Sequence, residues 1–430
     1  MKGKWNAERL AEGEEFRFLL ERYETGFWRD EDPRPPFYRD MTRIIHSLPF
    51  RRLRHKTQVF FMPQNEHLCT RLEHSLTVAS IARTLARGLG LSEDLAEAAA
   101  LGHDLGHPPF GHFGEEVFND FAKRVLRREE GLHFTEFDKI FFHEKNSLML
   151  VDETGLLPSR FKWQHKTGLD LTYAVRDAIV CHCGERVSAW GDELVLEPRE
   201  GKIDLKDVEA GRTQPATLEG IIIQISDVIA YLGRDVEDAI SAGVIPERPS
   251  DILEGLAPKT RKAFECAYRE FVLWAPKDVN AELGFRWLVN KFVIDYSVKE
   301  ILKANAQDES FRIAVPGEVV ELWVSLYTFN MEHIYKSPKF LDYTRRVKHL
   351  LESLLEFAYE SFGELLREPG EPGGGLRLYL YKFLKYSGLL ERMPAEPRRR
   401  MLYFLNAVSA LSDSMAVRFW EAEFRFRPGW

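Results

Sequence analysis

The sequence predicts an all-α protein, because apolar residues recur at spacings of three and four along most of its 430 residues. Two segments depart from this pattern. Residues 186–206 alternate polar and apolar side chains around a Gly-Asp pair, which predicts a short β-hairpin insertion. Residues 368–375 are rich in glycine and proline, which is typical of a loop.

Each predicted helix has a recognisable start or stop. Residues 71–89 form the clearest amphipathic pattern, and Ser92, followed by two acidic residues, is a predicted N-cap for the next helix. The glycine and prolines that begin at Gly106 would end that helix, and Thr172 and Thr217 are predicted N-caps of two later ones. The remaining predicted helices lie at about 280–305, 318–336, 339–367, 376–391 and 396–422.

The chain is long enough to bury a sizeable core. We expect an N-terminal extension over 1–37, a helical core over 38–245 that carries the metal ligands proposed below, and a C-terminal helical region over 246–430 packed on it as one continuous unit. No apolar run is long enough for a membrane span or a secretory leader, so we expect a cytoplasmic protein without a membrane partner. The four cysteines are too few and too scattered for a disulfide framework.

Charge and histidine are unevenly distributed. The net charge of −8 argues against nucleic acid as the main partner, so nucleic acid binding is a secondary expectation. Seven of the thirteen histidines lie between His46 and His112, and clustering of this kind indicates a site. The same part of the chain is locally basic, which suits a compact polyanion: the residues are Arg43, Arg51, Arg52, Arg54, Lys56 and Arg71.

The strongest local signal is His103-Asp104, in the segment LGHDLGHPPFGH. Adjacent helix residues point about 100° apart, so both side chains can reach one ion only near a helix end, which the following glycine and prolines provide. An imidazole and a carboxylate together suit a first-row divalent ion or, with more carboxylates, magnesium. His74 on the preceding helix and Asp227 on a later one are the predicted further ligands.

The helix that carries Asp227 provides an independent observation. Asp227, Tyr231 and Asp235 are spaced at i, i+4 and i+8, so they form one stripe of a helix face. Two carboxylates and a phenol along one stripe, beginning at a predicted metal ligand, indicate a substrate-facing surface. The alternative is a solvated helix face with a few polar residues.

The order H…HD…D resembles that of the HD-domain metal phosphohydrolases. The surrounding sequence is similar to their deoxynucleoside triphosphate triphosphohydrolase branch, of which bacterial dGTPases are typical. The most specific match is HDLGHPPFGHFGEE at 103–116. The other matching segments are 43–60, 70–79, 171–185, 226–240 and, more weakly, 407–419.

This resemblance implies hydrolysis of a dNTP to a deoxynucleoside and inorganic triphosphate. It implies one divalent ion per active site (Mn, Mg, Fe, Co or Ni) and allows additional Mg with the nucleotide. His112 is implied as the acid/base group, with Glu115 orienting it or the attacking water, and His107 and His143 match other polar active-site positions. A histidine that protonates the departing sugar oxygen increases the reaction rate on the order of 10²–10⁴-fold.

Residues for substrate binding follow from position and from the resemblance. Arg71 lies three residues before His74 on the same helix face, so it can reach a phosphate beside the metal. The resemblance implies that Gln58 contacts the sugar 3′-hydroxyl, that Tyr231 packs beneath the sugar and excludes a 2′-hydroxyl, and that Asp235 holds the 3′ side or the phosphate-binding side chains. Three further basic residues could be phosphate ligands, an effector site or solvated charges: Arg52, Arg54 and Lys56.

The chain departs from the family pattern in three places. Asp227 is followed by valine where two consecutive acids are common, and Asp413 is followed by Ser414 where a basic residue is common. Residues 186–206 have no counterpart in the best-known members. Because base preference depends on loops of this kind, the sequence assigns none.

Several alternatives stay open. The segment Cys181-His182-Cys183 could bind zinc, but helix positions i and i+2 diverge by about 200° and no second pair completes a site. We therefore interpret the cysteines as small core residues. The competing functions are another HD phosphohydrolase, acting on cyclic nucleotides or alarmones, and a nucleotide-sensing or nucleic-acid-binding protein with little turnover. The resemblance also implies a homo-oligomer, often a hexamer or tetramer in relatives, and a nucleotide effector.

Overall fold

The computed structural model of the chain describes residues 2–23, 33–60, 65, 67–135, 137–154, 168–183, 194–245, 258, 261–266, 269, 281–368 and 370–424, with only the backbone for 281–287. The α-helices named below are α1 Ala7–Leu10, α2 Pro36–His46, α3 Leu48–Arg52, α4 Arg71–Leu89, α5 Glu93–Gly102, α6 Gly111–Glu130, α7 His143–Met149, α8 Tyr173–Val180, α9 Leu218–Ser241, α10 Ala281–Asn305, α11 Gly317–Phe329, α12 Pro338–Arg367, α13 Gly375–Tyr386, α14 Pro397–Ser409 and α15 Asp413–Phe424. Two short strands are β1 Leu194–Leu196 and β2 Ile313–Val315.

The predicted all-α class is confirmed, and most predicted helix bounds agree with the structure. Helix α4 covers the predicted 71–89 and opens with a capping box, in which Thr70 and Glu73 accept each other's backbone N–H groups. The predicted caps of α5 and α9 also form. Thr172 does precede a helix, but its hydroxyl donates to the Asp40 carboxylate at 2.6 Å instead of capping α8.

Two predicted C-terminal helices are interrupted. The segment 318–336 begins as α11 and changes after Phe329 to wider π-helical turns over Asn330–Tyr335. The segment predicted as one helix over 396–422 is divided into α14 and α15, because the Ser412 hydroxyl accepts the Met415 N–H and starts a new helix there. Both interruptions matter for the site, since π-helical turns frequently occur where function requires them.

The predicted β-hairpin over 186–206 is wrong in the part that the structure describes. Residues 184–193 lie outside the described residues, so the predicted turn cannot be compared. Strand β1 pairs instead with the distant β2 in an antiparallel arrangement, with Val195 opposite Ala314. The period-two pattern therefore located a strand, but its partner comes from more than a hundred residues further along the chain.

Two hydrophobic clusters form the interior. The first cluster is built mainly from α2, α4, α5 and α8 to α11, with the apolar side of α9 at its centre. The second cluster joins α6 to α12, α13, α14 and α15. The predicted metal ligands therefore lie on or beside helices of the first cluster, and Glu115 lies on α6, a helix of the second cluster.

The N-terminal residues pack against the first cluster. The Glu219 Oε1 atom in α9 accepts the backbone N–H groups of Ala7 and Ser92 at 3.0 and 2.9 Å, so it links α1 to the start of α5. The buried Lys2 ammonium donates to the Ser310 carbonyl at 3.1 Å. Within the described ranges, no helix has the length and apolar character that a membrane span requires.

Candidate active site

Three helices bring the four predicted metal ligands together. His74 lies in the first turn of α4, His103 and Asp104 follow directly after α5, and Asp227 lies in the middle of α9. Helix α5 ends at Gly102, two residues before the predicted end at Asp104, and the glycine and prolines predicted to stop it follow. His74 Nε2 is 2.7 Å from Asp227 Oδ1, and His103 Nε2 is 3.4 Å from Asp104 Oδ1 and 3.7 Å from Asp227 Oδ1. Two imidazoles and two carboxylates thus face a common point.

The orientation of His103 fits a metal ligand. Its Nδ1 lies 2.6 Å from the Ala100 carbonyl, so Nδ1–H donates and Nε2 carries the lone pair. Although His103 is fully buried, Nε2 has no hydrogen-bond partner among the described residues. A buried acceptor in this state would be costly unless a cation or a water satisfies it. The described atoms of His74, His103 and Asp104 are close enough to hold one ion.

The electrostatics of these residues also favour a bound cation. Burial acts against ionisation, but the nearby His103 imidazole and Arg71 guanidinium hold the pKa of Asp104 well below its usual range. Against the same effect of burial, the hydrogen bond from His74 lowers the pKa of Asp227. The Asp227 contact in turn raises the pKa of His74, although burial opposes this. A divalent ion would replace the proton that this pair holds.

A second cluster of titratable groups lies beside the first and contains His107, His112, Glu115 and His143. The rings of His107 and His143 stack with centroids 3.8 Å apart, and the His112 ring meets both edge-on. His143 Nδ1 is hydrogen-bonded to Glu115 Oε2 at 2.8 Å. His107 Nε2 lies 3.1 Å from Asp104 Oδ1, so it connects the two clusters.

The second cluster contains one hydrogen-bonded pair of opposite charges and two imidazoles whose pKa values are lowered. Although burial opposes both shifts, Glu144 and Glu115 raise the pKa of His143 to about 10, and His143 lowers the pKa of Glu115 to about 2. The surrounding protein, with the positive charges of His143 and Arg71, lowers the pKa of His112 to about 4. Burial lowers the pKa of His107 well below its usual range.

The partner of Glu115 differs from the expectation. The resemblance implied that Glu115 orients His112 or the attacking water, whereas its hydrogen bond in the structure goes to His143. His143 lies at the first position of α7, and spacing along α6 alone could not reveal that this helix reaches Glu115. The role of His143 stays a prediction, and its position is directly beside the proposed acid/base residue.

An unusual backbone conformation directly before His112 brings the chain close to the Arg71 guanidinium. Phe110 and Gly111 both have φ of +63°, a left-handed conformation that costs a non-glycine residue about 1–2 kcal/mol. A Cβ at residue 111 would lie 2.6 Å from the Arg71 guanidinium, so glycine permits this approach. Arg71 donates to Asp104 Oδ2 at 2.7 Å, and its Nε and second terminal nitrogen have no partner among the described residues. These donors remain available to an anion.

The stripe predicted on α9 faces a cavity of about 530 Å³. Asp227, Tyr231 and Asp235 all line it, together with the π-helical turns at Asn330–Tyr335. Burial raises the pKa of Asp235 to about 7, although a hydrogen bond from Tyr335 acts in the opposite direction. The other predicted residues that line this cavity are Gln58, Arg71, His74, Asp104 and His112.

The contacts of two residues beside the site, Lys56 and Asp413, were not predicted. Lys56 was expected to be a phosphate ligand, an effector contact or a solvated charge, but it is buried and donates to the Ser409 carbonyl at 2.7 Å and to the His107 carbonyl. Asp413, also buried, accepts the N–H groups of Thr57 and Phe110 at 2.7 and 2.9 Å. These contacts attach the C-terminal helices to the HPPFGH loop, and only the weak match around 407–419 pointed toward them. Arg54 is exposed, in agreement with a solvated charge.

Helical geometry does not separate the side chains of the Cys-His-Cys segment, because α8 ends at Val180 and residues 181–183 are not helical. Cys183 Sγ lies 3.5 Å from the Nε2 atoms of both His182 and His143, whereas Cys181 Sγ contacts Asp177. Three cysteines are buried, as predicted. Cys266 is exposed, so the prediction of a core position is wrong for that residue.

Comparison with known proteins agrees with the motif analysis. The HD domain family model matches residues 71–232. A "deoxyguanosinetriphosphate triphosphohydrolase-like protein" of Caldanaerobacter subterraneus is 35% identical over 337 residues, which cover 78% of this chain and 76% of that protein. A protein of the same name from Desulfatibacillum aliphaticivorans is 33% identical over 334 residues, with 76% of each chain covered.

A solved structure of a hypothetical protein from Aquifex aeolicus is 20% identical and covers 60% of this chain and 68% of its own, but its TM-score of 0.19 is too low to inform the fold. The sequence relatives and the HD motif carry the assignment. The chain belongs to the deoxyguanosinetriphosphate triphosphohydrolase-like family of HD-domain phosphohydrolases.

Proposed function

We propose that this protein hydrolyses deoxynucleoside triphosphates to a deoxynucleoside and inorganic triphosphate. The observation that carries the proposal is the convergence of His74, His103, Asp104 and Asp227, of which all but His103 line the cavity that Tyr231 and Asp235 also line. The names of the relatives support the same reaction. A divalent ion held by these ligands would supply Lewis-acid stabilisation of the charge that develops on a phosphoryl group.

His112 is the proposed acid/base residue. It lines the cavity and is accessible to solvent, unlike the buried His107 and His143. Its lowered pKa leaves it neutral in the ligand-free protein at neutral pH, and a bound polyanion would raise that pKa toward the range of an effective acid. The neighbouring His143–Glu115 pair holds a proton and fixes the packing of the ring beside His112.

The rest of the cavity provides contacts for a deoxynucleotide. Arg71 has donors directed at the region beside Asp104, which suits the phosphates. Tyr231 stands one helical turn from Asp227 and lines the cavity, and the family resemblance implies that it packs beneath the sugar and excludes a 2′-hydroxyl. Gln58 and Asp235 offer polar contacts to the 3′ side, and Gln58 Oε1 has no partner in the described part of the chain.

The test is to incubate the purified protein with each of the four dNTPs, singly and mixed, with Mg²⁺, Mn²⁺ or Co²⁺. Ion-pair chromatography should show deoxynucleoside and intact triphosphate. Activity should disappear in His103→Ala and persist in His133→Ala, which changes an exposed histidine away from the cavity. The order of rates among the bases would give the base preference.

Two other outcomes point to different functions. Pyrophosphate with a monophosphate, or cleavage only of a cyclic or 3′-phosphorylated nucleotide, would contradict the proposal and leave another HD phosphohydrolase activity. Tight nucleotide binding without turnover under every metal condition would favour a nucleotide sensor.

A further inference from the structure

A group of three ligand atoms, one sulfur and two imidazole nitrogens, adjoins the second cluster and shares His143 with it. Cys183 Sγ is 3.5 Å from His143 Nε2 and 3.5 Å from His182 Nε2, and all three residues are buried. The three ligand atoms lie within 4.8 Å of one another. His143 and His182 come from different elements, α7 and the segment after α8, and their ring centroids are 5.3 Å apart.

Both imidazoles are oriented as metal ligands usually are. His182 Nδ1 lies 2.6 Å from the Ile179 carbonyl and therefore donates, which leaves the lone pair on Nε2 facing the sulfur. His143 Nδ1 is hydrogen-bonded to the Glu115 carboxylate. A carbonyl or carboxylate on the remote ring nitrogen is the arrangement that orients metal-bound histidines and raises their basicity.

The distances fit a metal ion bound by the sulfur and the two imidazole nitrogens. Zinc bonded to nitrogen at about 2.0–2.1 Å and to sulfur at about 2.3 Å in tetrahedral geometry places those two atoms about 3.6 Å apart. The structure has two such nitrogen–sulfur separations around one sulfur. Without an ion, His143 Nε2–H can donate to the sulfur while the thiol donates to His182 Nε2, so a bound ion would replace these two protons.

The group is also accessible. His143 and Cys183 line a second cavity of about 580 Å³, which His112 and Glu115 also reach. This cavity provides an entry path and space for a water at the fourth coordination position. The His182 and His103 rings meet edge-on with centroids 5.0 Å apart. The group is therefore adjacent to the four predicted metal ligands His74, His103, Asp104 and Asp227, called the HD ligands below, and includes none of them.

We propose that His143, His182 and Cys183 form a second metal site, distinct from the HD ligands, for a borderline-soft divalent ion such as Zn²⁺ or Co²⁺. Coordination would displace the thiol proton of Cys183 to solvent and leave a thiolate–metal bond. The ion would replace the proton on His143 Nε2 as the positive charge beside Glu115. This inference concerns metal binding and does not depend on the proposed reaction.

The test titrates metal-free protein with Co²⁺ and measures bound metal and the near-ultraviolet thiolate-to-cobalt charge-transfer band. We expect a second equivalent of Co²⁺ per chain and the band in wild type. Cys183→Ser should lose both, and Cys181→Ser, a buried thiol that contacts Asp177 instead, should retain both. Asp227→Asn should lose one equivalent of Co²⁺ but keep the band, since Asp227 belongs only to the HD ligands.

A wild-type protein without the band, or a band that persists in Cys183→Ser, would overturn the proposal. If circular dichroism shows that Cys183→Ser does not fold, alkylation of wild type decides the question. Bound Zn²⁺ should then suppress alkylation of Cys183 and leave that of the exposed Cys266 unchanged, as read by peptide mass spectrometry. Equal alkylation of Cys183 with and without Zn²⁺ would equally reject the site.

Discussion

The HD ligands and the second cluster are built from the same residue types but differ in how those groups are paired. Around Asp104 and Asp227, imidazoles and carboxylates face a common point, and His103 Nε2 has no hydrogen-bond partner in the described part of the chain. In the second cluster, His143 and Glu115 form a closed pair at 2.8 Å. The first arrangement leaves the His103 Nε2 atom open to a cation, whereas the second joins His143 and Glu115 in a hydrogen-bonded charged pair.

The difference shows that the hydrogen-bond partner of each side chain, more than its residue type, determines the chemistry available to it. His107 illustrates this, because it lies 3.1 Å from Asp104 on one side and stacks on His143 at 3.8 Å on the other. The loop that contains Gly106 packs closely on the first residue of α7, since a Cβ at Gly106 would lie 2.2 Å from the His143 carbonyl oxygen. We therefore expect substitution of an HD ligand to lower the affinity for Mn²⁺, and substitution of His112 to leave that affinity unchanged.

The largest effect is expected from Asp227→Asn. Loss of the carboxylate removes a proposed ligand and the partner of His74, so turnover should fall to background. Affinity for Mn²⁺, measured by calorimetry at the tighter site, should fall by more than the roughly 10–100-fold typical of a change behind the ligands. Wild-type turnover or Mn²⁺ affinity in this variant would mean that Asp227 is not a ligand.

A change in the second cluster should separate catalysis from metal binding. His112→Gln is expected to lower kcat by about 10²–10⁴-fold, the range for loss of a general acid or base. Affinity for Mn²⁺ at the tighter site should stay at the wild-type value, because His112 is not one of the four predicted ligands His74, His103, Asp104 and Asp227. His133→Gln serves as the matched control. If His112→Gln weakened Mn²⁺ binding as much as turnover, the two clusters would not be functionally distinct.

Much of this arrangement could be predicted from the sequence, because it depends on local rules. The helix bounds of α4, the end of α5 before His103, and the shared face of Asp227, Tyr231 and Asp235 follow from capping, glycine and proline, and the period of the helix.

The remaining features depend on contacts between distant parts of the chain. The Glu115–His143 pair joins two helices, the Asp413 contacts join the HPPFGH loop to the C-terminal region, and β1 pairs with β2 across more than a hundred residues. The Cys183 group was rejected because helical geometry was assumed where the chain leaves the helix at Val180. Periodicity within one segment carries no information on any of these pairings.

A third prediction tests a residue that belongs to neither cluster. Tyr231→Ala should reduce discrimination between dNTP and the matching ribonucleotide by roughly 10–100-fold, within the range of a steric pocket for one hydroxyl group. Metal affinity should not change, since the phenol is one turn from Asp227. The measurement is the ratio of kcat/KM for the two nucleotides, with the exposed Tyr38→Ala as control. An unchanged ratio would mean that the sugar lies elsewhere.

The smallest effect concerns the stability that the Glu115–His143 pair contributes. The raised pKa of His143, about 10, means that its contribution is complete below about pH 6.5 and is lost as pH rises toward 10. The lowered pKa of Glu115, about 2, means that the carboxylate's contribution is complete above about pH 4.5 and is lost as pH falls toward 2. The pair should therefore stabilise the fold most between about pH 4.5 and 6.5.

Glu115→Gln should lower the free energy of unfolding by about 1–3 kcal/mol at pH 5.5, the range for a buried hydrogen bond to a charged group. The deficit relative to wild type should shrink at pH 9.5. Urea denaturation in the presence of a chelator measures both values, so that no metal contributes to either state. The exposed Glu391→Gln is the control. A deficit that is the same at both pH values would mean that Glu115 supports the fold by packing alone, and that its contact with His143 does not act as a charged pair.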